Sequence, residues 1–262
     1  MKFIKRVFII CVITFLVSCD TIFEYTVYDA DVKEEHKNTT TKNLEALNKI
    51  KVNSQNFKFA FLTDSHYFYD NLKTVVDDIN KNNEILFLLF GGDITEQALL
   101  KEYEIFYDIM ADLQKPYFTV IGNHDYNSNG NLIYSRIFGD YNYTFQFNNN
   151  KFILFDDIVW ESKKSPDFEW LSLELKDRNS FNEVFVIAHI PPNGDQFTEE
   201  MSATYKTIMS QNNVPLSMHG HTHSYNYEEG DVSYLTIPSL KELAYGIVTV
   251  QEKSFSVELI EL

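Results

Sequence analysis

Five apolar runs in this chain each end in a polar cluster, and that recurrence limits the folds open to it. Phe61-Leu62-Thr63 leads into Asp64-Ser65-His66, Leu88-Leu89-Phe90 into Gly91-Gly92-Asp93, and Thr119-Val120-Ile121 into Gly122-Asn123-His124-Asp125. Val186-Ile187-Ala188 leads into His189, and Ser217-Met218 into His219-Gly220-His221-Thr222-His223. Asp64 and Asp93 lie 29 residues apart and Asp93 and Asn123 lie 30 apart, near the roughly 30 of a strand, helix, strand unit. Each step therefore returns the chain to the same rim. In open α/β sheets, ligands collect outside the carboxyl ends of strands, where such loops converge.

The remaining pattern agrees. Strand-like apolar runs occur at Phe57 to Leu62, Ile85 to Phe90, Tyr117 to Ile121, Phe152 to Phe155, Val184 to Ala188 and Pro215 to Met218. Helix-like stretches such as Leu72 to Asn80 and Ala98 to Leu113 lie between several of them. Strands alternating with helices predict an α/β fold with largely buried sheets. Ser233 to Ile237, Gly246 to Val250 and Ser254 to Ile260 read instead as consecutive strands. Mixed sheets packed together with helices outside are expected, in a single domain over residues 57–262. The composition, 44% hydrophobic and 15% aromatic, suits a globular core rather than disorder. A net charge of −16 opposes nucleic-acid binding, which needs clustered Lys and Arg.

The start of the chain reads as an address. Lys2, Lys5 and Arg6 precede an apolar run from Val7 to Val17, interrupted only by Thr14. That run is too short for a membrane span, which needs about 20 residues, and fits a signal peptide over residues 1–18. Leu16-Val17-Ser18-Cys19 resembles the lipobox of bacterial lipoproteins, which implies lipid modification of Cys19, attachment to a membrane outside the cytoplasm and a place in the cell envelope. The two cysteines are Cys11 and Cys19, so a mature chain starting at Cys19 would have no disulfide and would rely on its core. Residues 19–56 read as a tether with an early strand at Ile22 to Tyr28; His36, within Glu34-Glu35-His36-Lys37, reads as part of a solvated face.

Six of the seven histidines stand in the strand-end clusters. Carboxylate, amide oxygen and imidazole together suit divalent Mn, Fe or Zn. Asp64, His66, Asp93, Asn123, His189, His221 and His223 make seven candidate ligands, too many for one tetrahedral ion and enough for two sharing a carboxylate. Asp64 and His66, two apart, would point the same way on extended backbone, as would His221 and His223. Glycines 91, 92, 122 and 220 would permit positive φ and close backbone approach. His219 fits packing or an outer role better than direct ligation. Tyr67, Phe68, Tyr69 and Trp160 are candidates to line a substrate groove, whereas Trp170 fits core packing; Asn193-Gly194-Asp195 reads as a rim loop.

The five blocks Asp-x-His, Gly-Asp, Gly-Asn-His-Asp, His and Gly-His-x-His, in order from Asp64 to His223, resemble those of the calcineurin-like metallophosphoesterase family. The resemblance implies a sandwich of two mixed β-sheets flanked by helices. It implies one metal held by Asp64, His66 and His223, another by Asn123, His189 and His221, with Asp93 bridging. It implies hydrolysis of a phosphomonoester or phosphodiester by a metal-bridging hydroxide, its water brought toward neutral pKa. His124 would protonate the leaving oxygen, and Asp125 is a candidate to orient it, the sequence leaving open which carboxylate does so. His66 stands where the purple acid phosphatase branch carries glycine, and no Tyr lies three residues after Asp93. Two divalent ions against Asp64 and Asp93 would leave a local charge of +2, enough to draw a small phosphate ester to an acidic chain. Two other readings share the fold: a phosphoprotein phosphatase, for which there is little room to dock a protein, and a surface binding or scaffold protein, which the complete ligand set argues against. No His-Glu-x-x-His helix supports a zinc protease.

Overall fold

A computed structural model describes residues 26, 28–52, 54, 56–252 and 254–262. The signal peptide, Cys19 and most of the expected strand at Ile22 to Tyr28 lie outside the described residues. No helix among the described residues is long and apolar enough to cross a membrane.

Two mixed sheets form the centre of the fold. In the first, β1 (Phe57–Leu62), β2 (Ile85–Phe90) and β3 (Tyr117–Thr119) run parallel, while β10 (Ala244–Gln251) and β11 (Ser254–Glu261) pair antiparallel beside β1, giving the order β11-β10-β1-β2-β3. The second contains β4 (Tyr143–Phe147), β5 (Asn150–Phe155), β6 (Val184–Ala188), β7 (Leu216–His219), β8 (Asn226–Glu228) and β9 (Ser233–Thr236) in the order β4-β5-β6-β7-β9-β8. Here β5, β6, β7 and β9 are parallel, with an antiparallel strand at each edge. The expected sandwich of two mixed sheets flanked by helices is what the chain forms.

Alternation along the strands explains why their sequences read as continuous apolar runs. Successive side chains face opposite sides, and both sides are covered. Phe57, Phe59 and Phe61 of β1 and Phe87 and Leu89 of β2 point between the sheets, where they meet Phe145, Phe152, Phe185 and Met218. Ala60, Leu62, Leu88 and Phe90 point outward against helices α2 (Tyr69–Lys81), α3 (Leu100–Met110) and α4 (Gly130–Phe138). Ile153, Phe155 and Val186 cover the outer face of the second sheet with α5 (Phe168–Glu174) and α6 (Glu199–Gln211). The inter-sheet layer is largely phenylalanine: Phe87 stacks on Phe59 at 5.2 Å and meets Phe152 edge-on at 5.3 Å.

The segment read as a tether contains helix α1 (Thr39–Leu47), packed on β3 and α4. Its polar sequence hides a narrow apolar stripe, Leu44 and Leu47, that joins the inter-sheet core. Thr26 and Tyr28 are not in a strand. His36 is buried and stacks on Tyr107 at 3.9 Å, because Val32 and His36 turn inward onto the domain while Glu34 and Glu35 remain exposed. Trp170 lies parallel to Phe155 at 6.2 Å, a packing role.

Phe87 is fully buried against six other phenylalanines. Phe87→Ala should lower unfolding free energy by about 3–5 kcal/mol, read from urea denaturation.

Candidate metal centre

The carboxyl ends of β1, β2, β3, β6 and β7 open onto one rim, and their loops are stitched together by backbone hydrogen bonds. Asp64 N–H donates to Gly92 O (2.9 Å), His66 N–H to Asp93 O (3.1 Å) and Gly220 N–H to His189 O (3.0 Å). Two further bonds cross between the sheets. His189 Nδ1 lies 2.7 Å from Gly91 O, and the His221 N–H donates to the Asp64 carboxylate at 3.1 Å.

The seven candidate ligands come together here. His66 Nε2 is 3.1 Å from His223 Nε2 and 3.8 Å from Asp64 Oδ1, and His223 Nε2 is 3.3 Å from the same oxygen. On the other side, Asn123 Oδ1 is 3.1 Å from both His189 Nε2 and His221 Nδ1. Asp93 stands between the two groups: its Oδ2 is 3.2 Å from His189 Nε2 and 3.8 Å from His66 Nε2, while Oδ1 accepts from the His124 N–H at 2.8 Å. Asp64, Asp93 and His189 are essentially sealed, whereas His223 is half exposed, which places the mouth of the site on its side.

Extended backbone does not produce this convergence. Asp64, His66, Asp93, His221 and His223 all have positive φ, between 43° and 68°, a left-handed conformation that non-glycine residues adopt at a cost. Asp64 and His66 reach the same group because both turn sharply at a strand end, whereas His221 and His223 part, His221 toward Asn123 and His223 toward His66 and Asp64. Of the four glycines, only Gly92 has positive φ (95°). Gly122 is needed for closeness: a Cβ there would lie 2.1 Å from Asp93 N.

The donor set fits divalent cations. Carbonyl and carboxylate oxygens only accept, so His189 Nδ1 carries the proton shared with Gly91 O. Its Nε2 then faces two more acceptors, Asp93 Oδ2 and Asn123 Oδ1, an arrangement that requires positive charge there, either as a proton on Nε2 or as a bound cation. His66 Nδ1 lies 2.9 Å from Glu96 Oε2 and its Nε2 faces the first group. The electrostatics of Asp93 and His189 make the same demand. Burial would lower the His189 pKa, but Asp93 opposite it pushes it up to about 10. Burial would raise Asp93, yet His189 and then His66 and His124 hold it below the usual carboxylate range.

His124 caps the β3 loop in the single turn His124–Tyr126. Its Nδ1 bonds Glu96 O at 2.9 Å, leaving Nε2 to deliver a proton. Burial acts to lower its pKa, but Asp93 and Glu96 outweigh it and raise the value.

Asp125 does not orient this imidazole. Its carboxylate is fully buried and accepts from the N–H groups of Ile94, Thr95 and Gly122 and from the Thr95 hydroxyl, at 2.9–3.1 Å. Burial pushes it up to about 7. It ties the Asp93 loop to the Asn123 loop, and Glu96 occupies the position beside His124. Glu96 falls in no metal motif; its only sequence signal is that it follows Asp93 by three residues. His219 is buried, its Nε2 2.8 Å from Ser217 Oγ in a chain reaching Tyr205, and burial drives it down to about 3. Tyr67 and Trp160 are exposed. Asp195, in the rim loop, reaches His221 Nε2 at 2.9 Å.

A family model described as calcineurin-like phosphoesterase matches residues 57–225. A protein of Xenorhabdus bovienii named probable cyclic nucleotide phosphodiesterase is 34% identical over 64 residues, 23% of this chain and 26% of that protein. One of Colwellia psychrerythraea with the same name is 32% identical over 87 residues, 28% and 33% of the two chains. The aligned segments thus span about a quarter to a third of the curated relatives. Among solved structures, a dimetal phosphatase from Danio rerio superposes with TM-score 0.66 at 12% identity, covering 78% of this chain and 96% of that one. A purple acid phosphatase from yellow lupin gives 0.66 at 12% identity, covering 79% and 52%. At these identities the likeness concerns the fold.

Asp125→Ala would strand three buried N–H groups. It should lower unfolding free energy by about 3 kcal/mol or more, measured by urea denaturation; an unchanged midpoint would contradict the tying role.

Proposed function

The chain belongs to the calcineurin-like phosphoesterase family, and from that membership we propose that it hydrolyses a phosphodiester at a dinuclear divalent-metal centre, as an exported protein anchored to a membrane by lipid on Cys19. The observation that carries the reading is His189, whose Nε2 faces the two acceptor oxygens Asp93 Oδ2 and Asn123 Oδ1 at 3.2 and 3.1 Å, a gathering of buried donor atoms that a cation would satisfy. Asp64, His66 and His223 would hold one ion and Asn123, His189 and His221 the other, with Asp93 Oδ2 between. Bound there, Mn, Fe or Zn supplies Lewis acidity and a water acidic enough to act as nucleophile near neutral pH. The remaining work falls to side chains. Asp64 and Asp93 neutralise part of the ionic charge, and His124, held at Nδ1 by Glu96 O, gives its Nε2 proton to the leaving oxygen.

Charge favours a diester. Glu96, Glu161 and Asp195 join Asp64 and Asp93 around the ligands, so five carboxylates oppose two divalent ions, and the +2 expected from two carboxylates falls to about −1. No Lys or Arg among the described residues pairs with these five. A singly charged diester meets less repulsion there than a doubly charged monoester. The names of the two bacterial relatives support the same class and make cyclic nucleotides the first compounds to try.

The test is hydrolysis of bis-p-nitrophenyl phosphate, p-nitrophenyl phosphate and cyclic nucleotides after chelation and restoration with Mn²⁺ or Zn²⁺. Diester turnover should exceed monoester turnover and vanish in Asp93→Asn. His124→Ala should keep both ions and lose about 10²- to 10⁴-fold in kcat; metal loss in parallel would remove the acid role, and monoester preference would overturn the charge argument. For the anchor, Cys19→Ser should move the chain from the membrane fraction to the soluble fraction; unchanged partition would count against lipidation.

A further inference from the structure

Three side chains outside the ligand set meet around one half of the centre. Gln196 is 3% exposed, and burying an amide is unfavourable unless it is fully bonded. Its Oε1 accepts from the backbone N–H groups of Val159 and Trp160, at 3.0 and 3.1 Å, and its Nε2 donates to Glu161 Oε2 at 2.9 Å. Gln196 therefore fastens the segment after β6 to the segment after β5.

Each fastened segment delivers one carboxylate to a ligand. Glu161 Oε1 accepts from Asn123 Nδ2 at 3.4 Å, and Asp195 Oδ1 accepts from His221 Nε2 at 2.9 Å. Because carboxylates only accept, Glu161 settles which way the Asn123 amide faces and Asp195 settles the His221 tautomer. Asn123 must turn Oδ1, and His221 its Nδ1 lone pair, toward the ion position they share with His189. A carboxylate on the far nitrogen also makes an imidazole a stronger ligand. The other half is held differently: Thr63 Oγ1 donates to Asp64 Oδ2 at 2.6 Å and Glu96 faces His66, both from the β1 and β2 loops.

We infer that Gln196, Glu161 and Asp195 form a two-loop clamp that positions Asn123 and His221 and sets the affinity of that half of the centre for its divalent ion, separately from the half built on Asp64, His66 and His223. The inference rests on the dinuclear reading above. None of the three touches the reacting atoms; they act through Asn123 and His221.

Metal binding tests this without reference to turnover. The full chain, stripped of metal, is titrated with Mn²⁺, and free ion is followed by electron paramagnetic resonance. Wild type should show two classes of site. Asp195→Ala should weaken one class by about ten- to a hundredfold and leave the other within about twofold. Asp195→Asn, which keeps an acceptor oxygen, should restore most of the loss, a recovery that simple removal of negative charge would not give. Gln196→Ala should weaken the same class, and the intact class serves as the check on folding. The clamp is overturned if both classes are unchanged in Asp195→Ala and Gln196→Ala, if both weaken equally, or if wild type has a single class. Two classes and the expected split in a chain that cleaves no ester would support the clamp and count against the proposed activity.

Discussion

A buried carboxylate and a buried imidazole, Asp93 and His189, face each other at 3.2 Å across the seam between the two sheets. Neither is free to move away. The His189 ring is held by Gly91 O from the first sheet, and the Asp93 carboxylate by the His124 N–H. Burying such groups is unfavourable unless charge and hydrogen bonds are satisfied together. In the protein without metal, a proton on His189 fills that role, which is why its pKa climbs to about 10 while Asp93 falls. A divalent ion meets the same electrostatic requirement with more charge, so the centre is preorganised for cations before any arrive.

Much of this was legible in the sequence because the fold and the site share one cause. A strand buried on both faces has to be apolar along its length, and where it reaches the rim, polar residues can begin. The boundary between Phe90 and Asp93, or between Ala188 and His189, therefore marks both the end of a strand and a candidate ligand. Helix α1 was not legible because its apolar stripe is only Leu44 and Leu47 among polar residues. Glu161 and Asp195 carry no local signal: their place beside Asn123 and His221 depends on how two loops fold, 38 and 26 residues from the side chains they touch. Asp125 shows the opposite limit. A carboxylate next to His124 in sequence reads as its partner, yet the tight turn at His124–Tyr126 sends it inward to the backbone of Ile94 and Thr95.

The left-handed backbone at five of the seven candidate ligands shows where local preference yields to the site. Such conformations persist only where surrounding structure over-determines them, and here the phenylalanine layer and the bonds between loops supply that rigidity. Packing far from the rim thus governs the distances at it. The acidic outer residues work at a different level, leaving the ligand positions in place while altering the net charge an approaching phosphate meets.

His66 and His223 touch at 3.1 Å although 157 positions separate them along the chain. Contacts of such separation form late, because the entropy of closing a long loop must be overcome before they stabilise anything. The centre therefore cannot serve as an early nucleus; it is assembled when the two sheets dock, and an ion bound there would stabilise the completed fold by mass action. Metal availability would then govern how much of the protein persists folded as well as how fast each folded molecule works.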